Sequence, residues 1–513
     1  MYSSNFEYVG ATREDADYVY YNANIINNRT SDQTLGVVQP DPIIKFNESR
    51  DAAIIRDASK YHGSIVRFAI NGPNRNLPLL IPEIQEGQAN VNLTIYSCAI
   101  TYTQSWNTSL GLKTFNIAPI PLYMTYAPET INSILAPTPP SPVIKQDLNT
   151  TYYYVYTYGH MVDLMNATLL SAHDRLYNDF QTAWAAAGLS APADPFPYPD
   201  LESFAAAVNA PQISYSESSG LFTLYADSDG YGDRLEPFTP FAYSPPVAYN
   251  PATVYAVGDV VVYLGIAYRS LQAGNVGNTP SSSPAFWSAT TLDGPATKPT
   301  CRLFFNSNMN ALFANFLTTY YNSTSIAGLP SPLPSGYVYE VIFRNNFYQN
   351  IIDYRLPPYG GSAPLGYVPT YKQKVFWTAV QNFISTDFWS PITSIVFTST
   401  LIPFRAEQTG VPLIIGESNA VDATATSAAA FQPIITDISV DVSSGAQNYR
   451  TSVIYNPTAE YRLFDFGPSK QEVRNIDIQV YWKCKLNNQL YPMTIPNGGI
   501  VDFKLMFRRR DIA

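Results

Sequence analysis

The sequence has little charge, cysteine or histidine. Only 14% of its 513 residues are charged, whereas about a quarter is usual for a globular chain. Cys98, Cys301 and Cys484 are far apart and odd in number, which excludes a disulfide framework or a paired-cysteine metal site. We expect these cysteines to be reduced and buried. Three isolated histidines leave little for zinc binding or for a Cys/His nucleophile pair, and we predict no cofactor.

Long apolar runs and an excess of positive charge are also missing. The net charge is −10, which argues against wrapping nucleic acid or lying on an anionic membrane. No segment has the pattern of a signal peptide or a membrane span. One basic cluster, Lys504 with Arg508, Arg509 and Arg510, is interpreted as a solvated strand end or as a phosphate or subunit contact.

Period-two alternation of apolar and polar residues is the dominant pattern. It predicts strands with one buried face, as in antiparallel sheets. In the last third of the chain the alternating apolar residues are Ile438, Val440 and Val442, then Ile476, Ile478, Val480 and Trp482, then Val501, Phe503, Leu505 and Phe507. Further strands are predicted at 17–26, 64–71, 91–103 and 121–125.

Helical spacing interrupts the strands in the middle of the chain. One apolar stripe runs from Met165 to Ala183 and ends near Gly188, as expected of a C-cap glycine. A second stripe predicts a helix from Met309 to Tyr320, and a short helix is predicted over 200–209. Many strands with proline-marked loops indicate β-sandwiches, and the length predicts about three domains.

An aromatic module lies between proline-rich joints at 247–290. Its Gly-Asp and Leu-Gly pairs predict the turns of a three-stranded miniature sheet. The segment resembles the chitin- and cellulose-binding modules of carbohydrate-binding family 5/12, whose pattern combines an aromatic before Gly-Asp, a Tyr-x-Gly turn, a second Tyr, and a Pro before a closing Trp. The matching positions are Tyr255, Gly258, Asp259, Tyr263, Gly265, Tyr268, Pro280 and Trp287.

That resemblance implies stacking of aromatic rings on a sugar. The candidate carbohydrate-binding residues are Tyr255, Tyr263, Tyr268 and Trp287. The family usually has an exposed aromatic just after the second tyrosine, where this chain has Arg269, so part of the stacking platform is missing. Two interpretations stay open: host-glycan binding, and a surface decoration or protein contact.

An acidic cluster precedes the module. It offers carboxylates for calcium, although Asp-Gly is also common in hairpin turns, and both interpretations stay open. The calcium candidates are Asp227, Asp229, Asp233 and Glu236. The segment 416–420 lacks the final glycine of a nucleophile elbow, and the sequence contains no Walker A or dinucleotide fingerprint.

Outside the module, the segments 393–403, 455–463 and 507–510, together with the length, resemble viral jelly-roll capsid proteins. The similarity is to the double jelly-roll coats of virophages, polinton-like viruses and adenoviruses. It implies a mainly β fold of two jelly-roll sandwiches with a few loop helices. The domains are then an N-terminal jelly roll at 1–240, the module at 247–290, and a C-terminal jelly roll at 300–513, with strands shared across the module.

This resemblance implies a non-enzymatic virion protein. We expect a major capsid subunit that assembles into pseudo-hexameric trimers of an icosahedral shell and displays the module on the outer surface. Its partners would be copies of itself, other capsid proteins and a host glycan, without direct contact to nucleic acid. The alternatives are a vertex, spike or receptor-binding protein of a virion, and an enzyme that uses the module to reach a polysaccharide.

Overall fold

The protein is mainly β, with several antiparallel sheets and few helices. The computed structural model describes residues 16–28, 42–72, 77–108, 111–129, 146–148, 151–188, 210–228, 230–231, 247–289, 294–295, 300–323, 325, 333, 336–353, 370–405, 433–439, 452–457, 462–468, 470–485 and 488–510. The predicted helix at 200–209, the strand residues Val440 and Val442, and the segment 416–420 lie outside these ranges.

Strands are the main regular structure of the described chain. In order they are β1 Tyr18–Ile26, β2 Lys45–Ser49, β3 Tyr61–Asn71, β4 Leu93–Thr108, β5 Gly111–Ile117, β6 Leu122–Thr125, β7 Gln212–Ser216, β8 Leu221–Asp227, β9 Val247–Ala248, β10 Val260–Tyr263, β11 Ile266–Ser270, β12 Trp287–Ala289, β13 Gly294–Pro295, β14 Thr300–Phe305, β15 Thr318–Tyr320, β16 Tyr339–Val341, β17 Asn345–Asp353, β18 Thr370–Val380, β19 Ile392–Thr398, β20 Ile434–Ser439, β21 Ser452–Tyr455, β22 Phe464–Asp465, β23 Asn475–Cys484, β24 Leu490–Pro492 and β25 Ile500–Arg509. The helices are α1 Tyr158–Ala186 and α2 Ser307–Leu312, with short 3-10 helices at Ala58–Lys60, Thr151–Tyr153 and Thr386–Phe388.

The chain forms two compact units whose segments interleave. Unit 1 contains residues 1–82, 128–160 and 386–513, and unit 2 contains residues 83–127 and 161–385. Both segments of unit 2 therefore lie between β3 and β19 along the chain, on either side of residues 128–160 of unit 1.

Unit 1 is a jelly roll. Its eight principal strands, in chain order, are β1, β2, β3, β19, β20, β21, β23 and β25. The first sheet has the order β1-β25-β3-β21, with β22 beside β3, and the second has the order β2-β23-β19-β20, with β24 beside β23. The first sheet thus takes strands one, eight, three and six, and the second takes two, seven, four and five. This is the double Greek-key order of a jelly-roll sandwich.

Aromatic contacts join the two sheets of unit 1. The ring of Phe68 on β3 meets Phe397 on β19 edge-to-face, with centroids 5.0 Å apart. Phe46 on β2 meets Phe503 on β25 at 5.4 Å. The alternating residues predicted to face inward on β23 and β25 are all buried, so these strand predictions are confirmed. Edge-to-face aromatic pairs add about 0.5–1.5 kcal/mol beyond the area they bury.

A buried carboxylate fixes the turn after β19. Asp477 on β23 is 3% exposed. It accepts hydrogen bonds from the Thr400 backbone N–H (2.8 Å), the Thr400 hydroxyl (2.7 Å), the Leu401 backbone N–H (2.9 Å) and the Ser399 hydroxyl. Burial alone would raise the pKa of Asp477, but these bonds outweigh it and hold the pKa below its ordinary value.

Unit 2 contains two larger sheets and the long helix. Strands β13-β4-β14-β16-β15 form one sheet, with β5 and β6 beside β4, and β17-β18-β8-β7 form the other. These orders differ from that of unit 1. The buried stripe of α1 includes Met165, Leu169 and Phe180, and Gly188 has the positive φ of a C-cap. The first predicted helix is confirmed, although it begins earlier, at Tyr158.

The second predicted helix, from Met309 to Tyr320, is wrong in length. Helix α2 begins at the N-cap Asn306, whose side chain accepts from the Met309 backbone N–H, and it ends at Leu312. Asn315 then has a φ of +76°, which a right-handed helix cannot contain. The chain continues as β15, which pairs with β16. Phe313 and Phe316 are nevertheless buried. The apolar spacing therefore predicted correctly which residues are buried, but not that they form a helix.

Candidate functional site

The inserted module forms its own small sheet. The strand order is β12-β11-β10-β9, and among the described strands those of the module pair only with one another. The prediction of three strands is therefore corrected to four, because Val247–Ala248 adds a short parallel strand beside β10. The predicted Leu264-Gly265 turn is confirmed: it joins β10 to β11 with Tyr263 opposite Ile266.

Two candidate sugar-binding rings are in the core of the module. Tyr255 and Trp287 are almost fully buried, and their ring centroids lie 5.2 Å apart, edge-to-face. The Trp287 indole N–H donates to the Asn278 carbonyl at 2.7 Å, and the Tyr255 hydroxyl donates to the Asn250 carbonyl at 3.1 Å. A sugar can stack only on an exposed ring face, and these two rings are instead used for packing.

The other two candidates are half-buried. Tyr268 packs against the module core. Tyr263 is in contact with Tyr249, with ring centroids 5.5 Å apart. The fold thus brings all four predicted residues into one small module, with Tyr263, Tyr268 and Trp287 on its strands. Glycan binding by Tyr263 and Tyr268 stays a prediction.

The acidic cluster is described only in part. Asp227 ends β8 and is buried, and its backbone carbonyl accepts from the N–H groups of Gly230 (3.2 Å) and Tyr231 (2.7 Å). Asp229, Asp233 and Glu236 lie outside the described residues. Within the described ranges, no three His, Cys, Asp or Glu side chains are placed to hold a metal ion. The calcium site stays a prediction.

The cysteines and histidines lie at separate places. Cys98, Cys301 and Cys484 are free and buried, as predicted, and burial raises the pKa of the Cys98 thiol to about 12. Each histidine has its own neighbour: His62 lies 2.6 Å from Asp465, His160 lies 3.6 Å from Glu129, and the His173 Nδ1 lies 3.1 Å from the Tyr231 hydroxyl.

The outer face of the first sheet of unit 1 is a candidate contact surface that the sequence did not reveal. Ile26 on β1 and Ile500 on β25 are direct cross-strand neighbours, 62% and 44% exposed. Tyr18 and Tyr20 are exposed and stacked on the same strand, and Lys504 lies over the Tyr20 ring. On the opposite edge strand, Ile454 is also exposed. We call these residues the outer patch; they are Tyr18, Tyr20, Ile26, Ile454 and Ile500.

Sequence alternation gives only a weak signal for the outer patch. In β1 both sets of alternate positions contain apolar or aromatic residues, because the segment reads YVYYNANII. Such a pattern does not tell which face is buried. The structure resolves it, since Tyr21 and Ala23 point into the sandwich.

No helix within the described part of the chain is both long and apolar enough to cross a bilayer.

The jelly-roll order of unit 1 is a fold that many viral capsid proteins have. The family model for the Sputnik minor capsid protein V18/19 matches residues 19–247 and 280–509, and the chain belongs to this family. Its role is structural: it is a capsid protein of the virion. The match leaves out residues 248–279, which lie inside the module.

One curated relative and two solved structures are similar to this chain. The uncharacterized protein V18 of Sputnik virophage is 32% identical over 165 residues, which cover 32% of this chain and 86% of V18. A chain from the 3.5 Å cryo-EM structure of the Sputnik virophage aligns over 97% of this chain and 99% of its own length, with a TM-score of 0.55 and 21% identity. A crystal structure of the mavirus penton protein aligns over 96% of this chain and 100% of its own, with a TM-score of 0.43 and 10% identity.

Proposed function

We propose that the protein is a minor capsid subunit that assembles as a pentamer at the fivefold vertices of an icosahedral virion. The observation that carries this proposal is the strand order of unit 1, together with the placement of unit 2 inside the connection between β3 and β19. Family membership supports the capsid role and the description as a minor component.

The number of jelly rolls per chain bears on symmetry. Two sandwiches per chain let three copies supply six similar positions, as a pseudo-hexagonal capsomer needs. One sandwich per chain supplies five positions when five copies close around an axis, and such closed rings use one repeated interface. Among the described strands, one set of eight has the jelly-roll order, which favours the pentamer.

The outer patch is the surface we propose for contact between copies. It places two exposed isoleucines beside each other at one end of the β1–β25 ladder and two stacked tyrosines toward the other end, and aromatic residues are enriched at protein interfaces. Its charges have neighbours on the same face: Arg67 pairs with Asp502 at 2.9 Å, Lys504 lies over Tyr20, and Arg508 lies opposite Tyr18. Packing this face against a neighbour would therefore bury few isolated charges.

The mass of the assembly tests the proposal. Native mass spectrometry of the full chain should give a species of five times 56.9 kDa. The paired substitution Ile26→Asp/Ile500→Asp should return the protein to monomers without unfolding it, because both side chains are exposed. Leu112→Asp, at an equally exposed leucine of β5 in unit 2, is the matched control and should keep the pentamer. A wild-type monomer at high concentration would contradict the proposal.

The pseudo-hexameric trimer of a major capsid subunit is the second candidate. The two further sheets of unit 2 favour it, because they give each chain a second body of strands. A species of three times 56.9 kDa would support this candidate over the pentamer. Under either assembly the partners are further copies of the chain and other capsid proteins.

Under both candidate assemblies we propose that residues 247–290 form a separate inserted module, as the sequence predicts. Because the module strands pair among themselves and the family match omits residues 248–279, deletion of 247–290 should leave assembly intact. A chitin pull-down with and without the module tests glycan attachment through Tyr263 and Tyr268. Equal retention of the two proteins would refute it.

A further inference from the structure

The tip of the module hairpin exposes a leucine in a backbone conformation that leucine disfavours. Leu264 has a φ of +51° and Gly265 a φ of +79°, the signs of a two-residue type I′ turn. Asn or Asp is the usual residue at the first of these positions, because an L side chain with a larger Cβ substituent is strained there. Leu264 is nevertheless 80% exposed, and Ile266, which follows the turn, is half exposed.

Packing within the module does not explain why position 264 is a leucine. The core consists of Tyr255, Val261 and Trp287, with Tyr249, Tyr268 and Phe286 against it, and the side chain of Leu264 points into solvent. Folding would be served better by Asn-Gly at this turn. A strained, exposed apolar residue is therefore evidence for a role outside folding.

The module also lies outside what the family shares. The family match stops at residue 247 and resumes at residue 280, so the common capsid role does not need the hairpin. Leu264 and Ile266 therefore lie outside the part of the chain that the family model matches.

The shape and charge of the tip indicate its partner. Two aliphatic side chains on a turn are too few for a stable protein interface, which needs about 800 Å² from each side. A fluid lipid layer, in contrast, closes around a small protruding group. Residues 247–289 contain one acidic and one basic residue, Asp259 and Arg269, whereas the whole chain carries −10. The module is therefore attracted to a lipid surface by apolar contact rather than by charge.

We propose that the hairpin tip, Leu264 and Ile266 with the adjoining half-buried Tyr263, inserts into the interface of a zwitterionic lipid bilayer. Aliphatic side chains gain from leaving water, and a tyrosine one residue back suits the headgroup level. The insertion is shallow and reversible for one chain. Several copies displayed on one particle would together bind the membrane with a much higher overall affinity. The tip acts on a single chain, so this proposal does not depend on the symmetry proposed above.

Flotation of the full-length protein with phosphatidylcholine vesicles tests the proposal. Wild-type protein should float with the vesicles. Leu264→Asn and Ile266→Thr should each lower the partition coefficient by about tenfold. Leu264→Asn should at the same time raise the thermal midpoint of the module, because Asn-Gly suits the turn. Loss of binding together with a gain in stability cannot come from unfolding.

A matched control uses exposed valines at the other end of the module. Val254 and Val257 flank Tyr255, which bridges to Asn275, and this bridge lies beyond the end of the β10–β11 ladder that is remote from the tip. Val254→Thr/Val257→Thr should float like the wild type. The proposal is overturned if wild-type protein does not float, if Leu264→Asn floats equally, or if the control loses as much binding. It is also overturned if binding requires phosphatidylserine and disappears in high salt, since that result would indicate electrostatic attraction to anionic lipid.

Discussion

Asp477→Asn should destabilise the jelly roll of unit 1 strongly. Each carboxylate oxygen of Asp477 accepts two hydrogen bonds, Oδ1 from Ser399 and Leu401 and Oδ2 from the two donors of Thr400. An asparagine keeps one acceptor oxygen and turns an NH₂ group toward the other pair of donors. Two bonds to a buried charged acceptor are lost, each contributing about 1.5–3 kcal/mol. We expect a loss of roughly 3–5 kcal/mol in the free energy of unfolding.

Hydrogen–deuterium exchange measured by mass spectrometry can localise this effect. Peptides from β19 and β23 should exchange at least about a hundredfold faster in Asp477→Asn, since each 1.4 kcal/mol is tenfold in the opening equilibrium. Asp502→Asn is the matched control, because Asp502 lies in a partly exposed pair with Arg67 and such pairs contribute about 0–1 kcal/mol. If the two variants exchange alike, the reasoning about Asp477 is refuted.

The same carboxylate predicts a pH dependence. Its pKa is lower in the folded protein than in the unfolded chain, where an aspartate titrates near about 3.9. The stability it contributes is therefore fully present above that value and is lost as the pH falls through the lower, folded pKa. The protection factors of the β19 amides, which are exchange rates corrected for their intrinsic pH dependence, should fall in this acidic window in the wild type, and Asp477→Asn should lack that part of the fall.

Three further substitutions give distinct outcomes. Trp287→Ala should unfold the module, because truncating a buried tryptophan costs about 3–5 kcal/mol and a sheet this small has a low free energy of unfolding. Limited proteolysis should then cut within 247–289. The assembly measured by native mass spectrometry should persist. Gly63→Ala should lower the thermal midpoint of unit 1 through a cost of roughly 1–3 kcal/mol, since a Cβ there would lie 2.0 Å from the Phe464 ring. Arg302→Lys should destabilise unit 2 by about 1–3 kcal/mol, measured by urea denaturation, because lysine cannot reproduce the two-point contact of Arg302 with Glu340.

Two of these variants have matched controls. Gly159→Ala, where a Cβ meets nothing within 4 Å, should leave the midpoint unchanged or raise it. Exposed Leu271→Ala should leave proteolysis of the module unchanged. A stable Gly63→Ala protein, or a Trp287→Ala module that resists protease, would contradict the packing described above.

Local sequence patterns predicted the strands well, because alternation reports directly which side chains face a core. The inward residues of β23 and β25 are examples. The helix from Met309 to Tyr320 failed because helical spacing of apolar residues also arises in a buried turn followed by a strand. The positive φ of Asn315, which breaks the helix, leaves no trace in an apolar pattern.

The topology of the sheets could not be predicted from local sequence patterns. β1 pairs with β25 across almost the whole chain, and no local propensity specifies a partner at that separation. The interleaving of the two units follows from such pairings. In the module the Leu264-Gly265 turn was predictable from turn chemistry, whereas the burial of Tyr255 and Trp287 was not, since an aromatic motif does not state whether a ring faces inward or outward.

The position of β25 sets an order of events during synthesis. β25 lies between β1 and β3 in the first sheet, so these two early strands receive their shared neighbour only after the ribosome has synthesised residues 500–509. The strands of unit 2 all emerge before β19, and this unit can fold while the jelly roll is still incomplete. A chain that stops early would expose the long edges of β1 and β3, which invite aggregation. A chain that ends before β25 therefore has an incomplete first sheet.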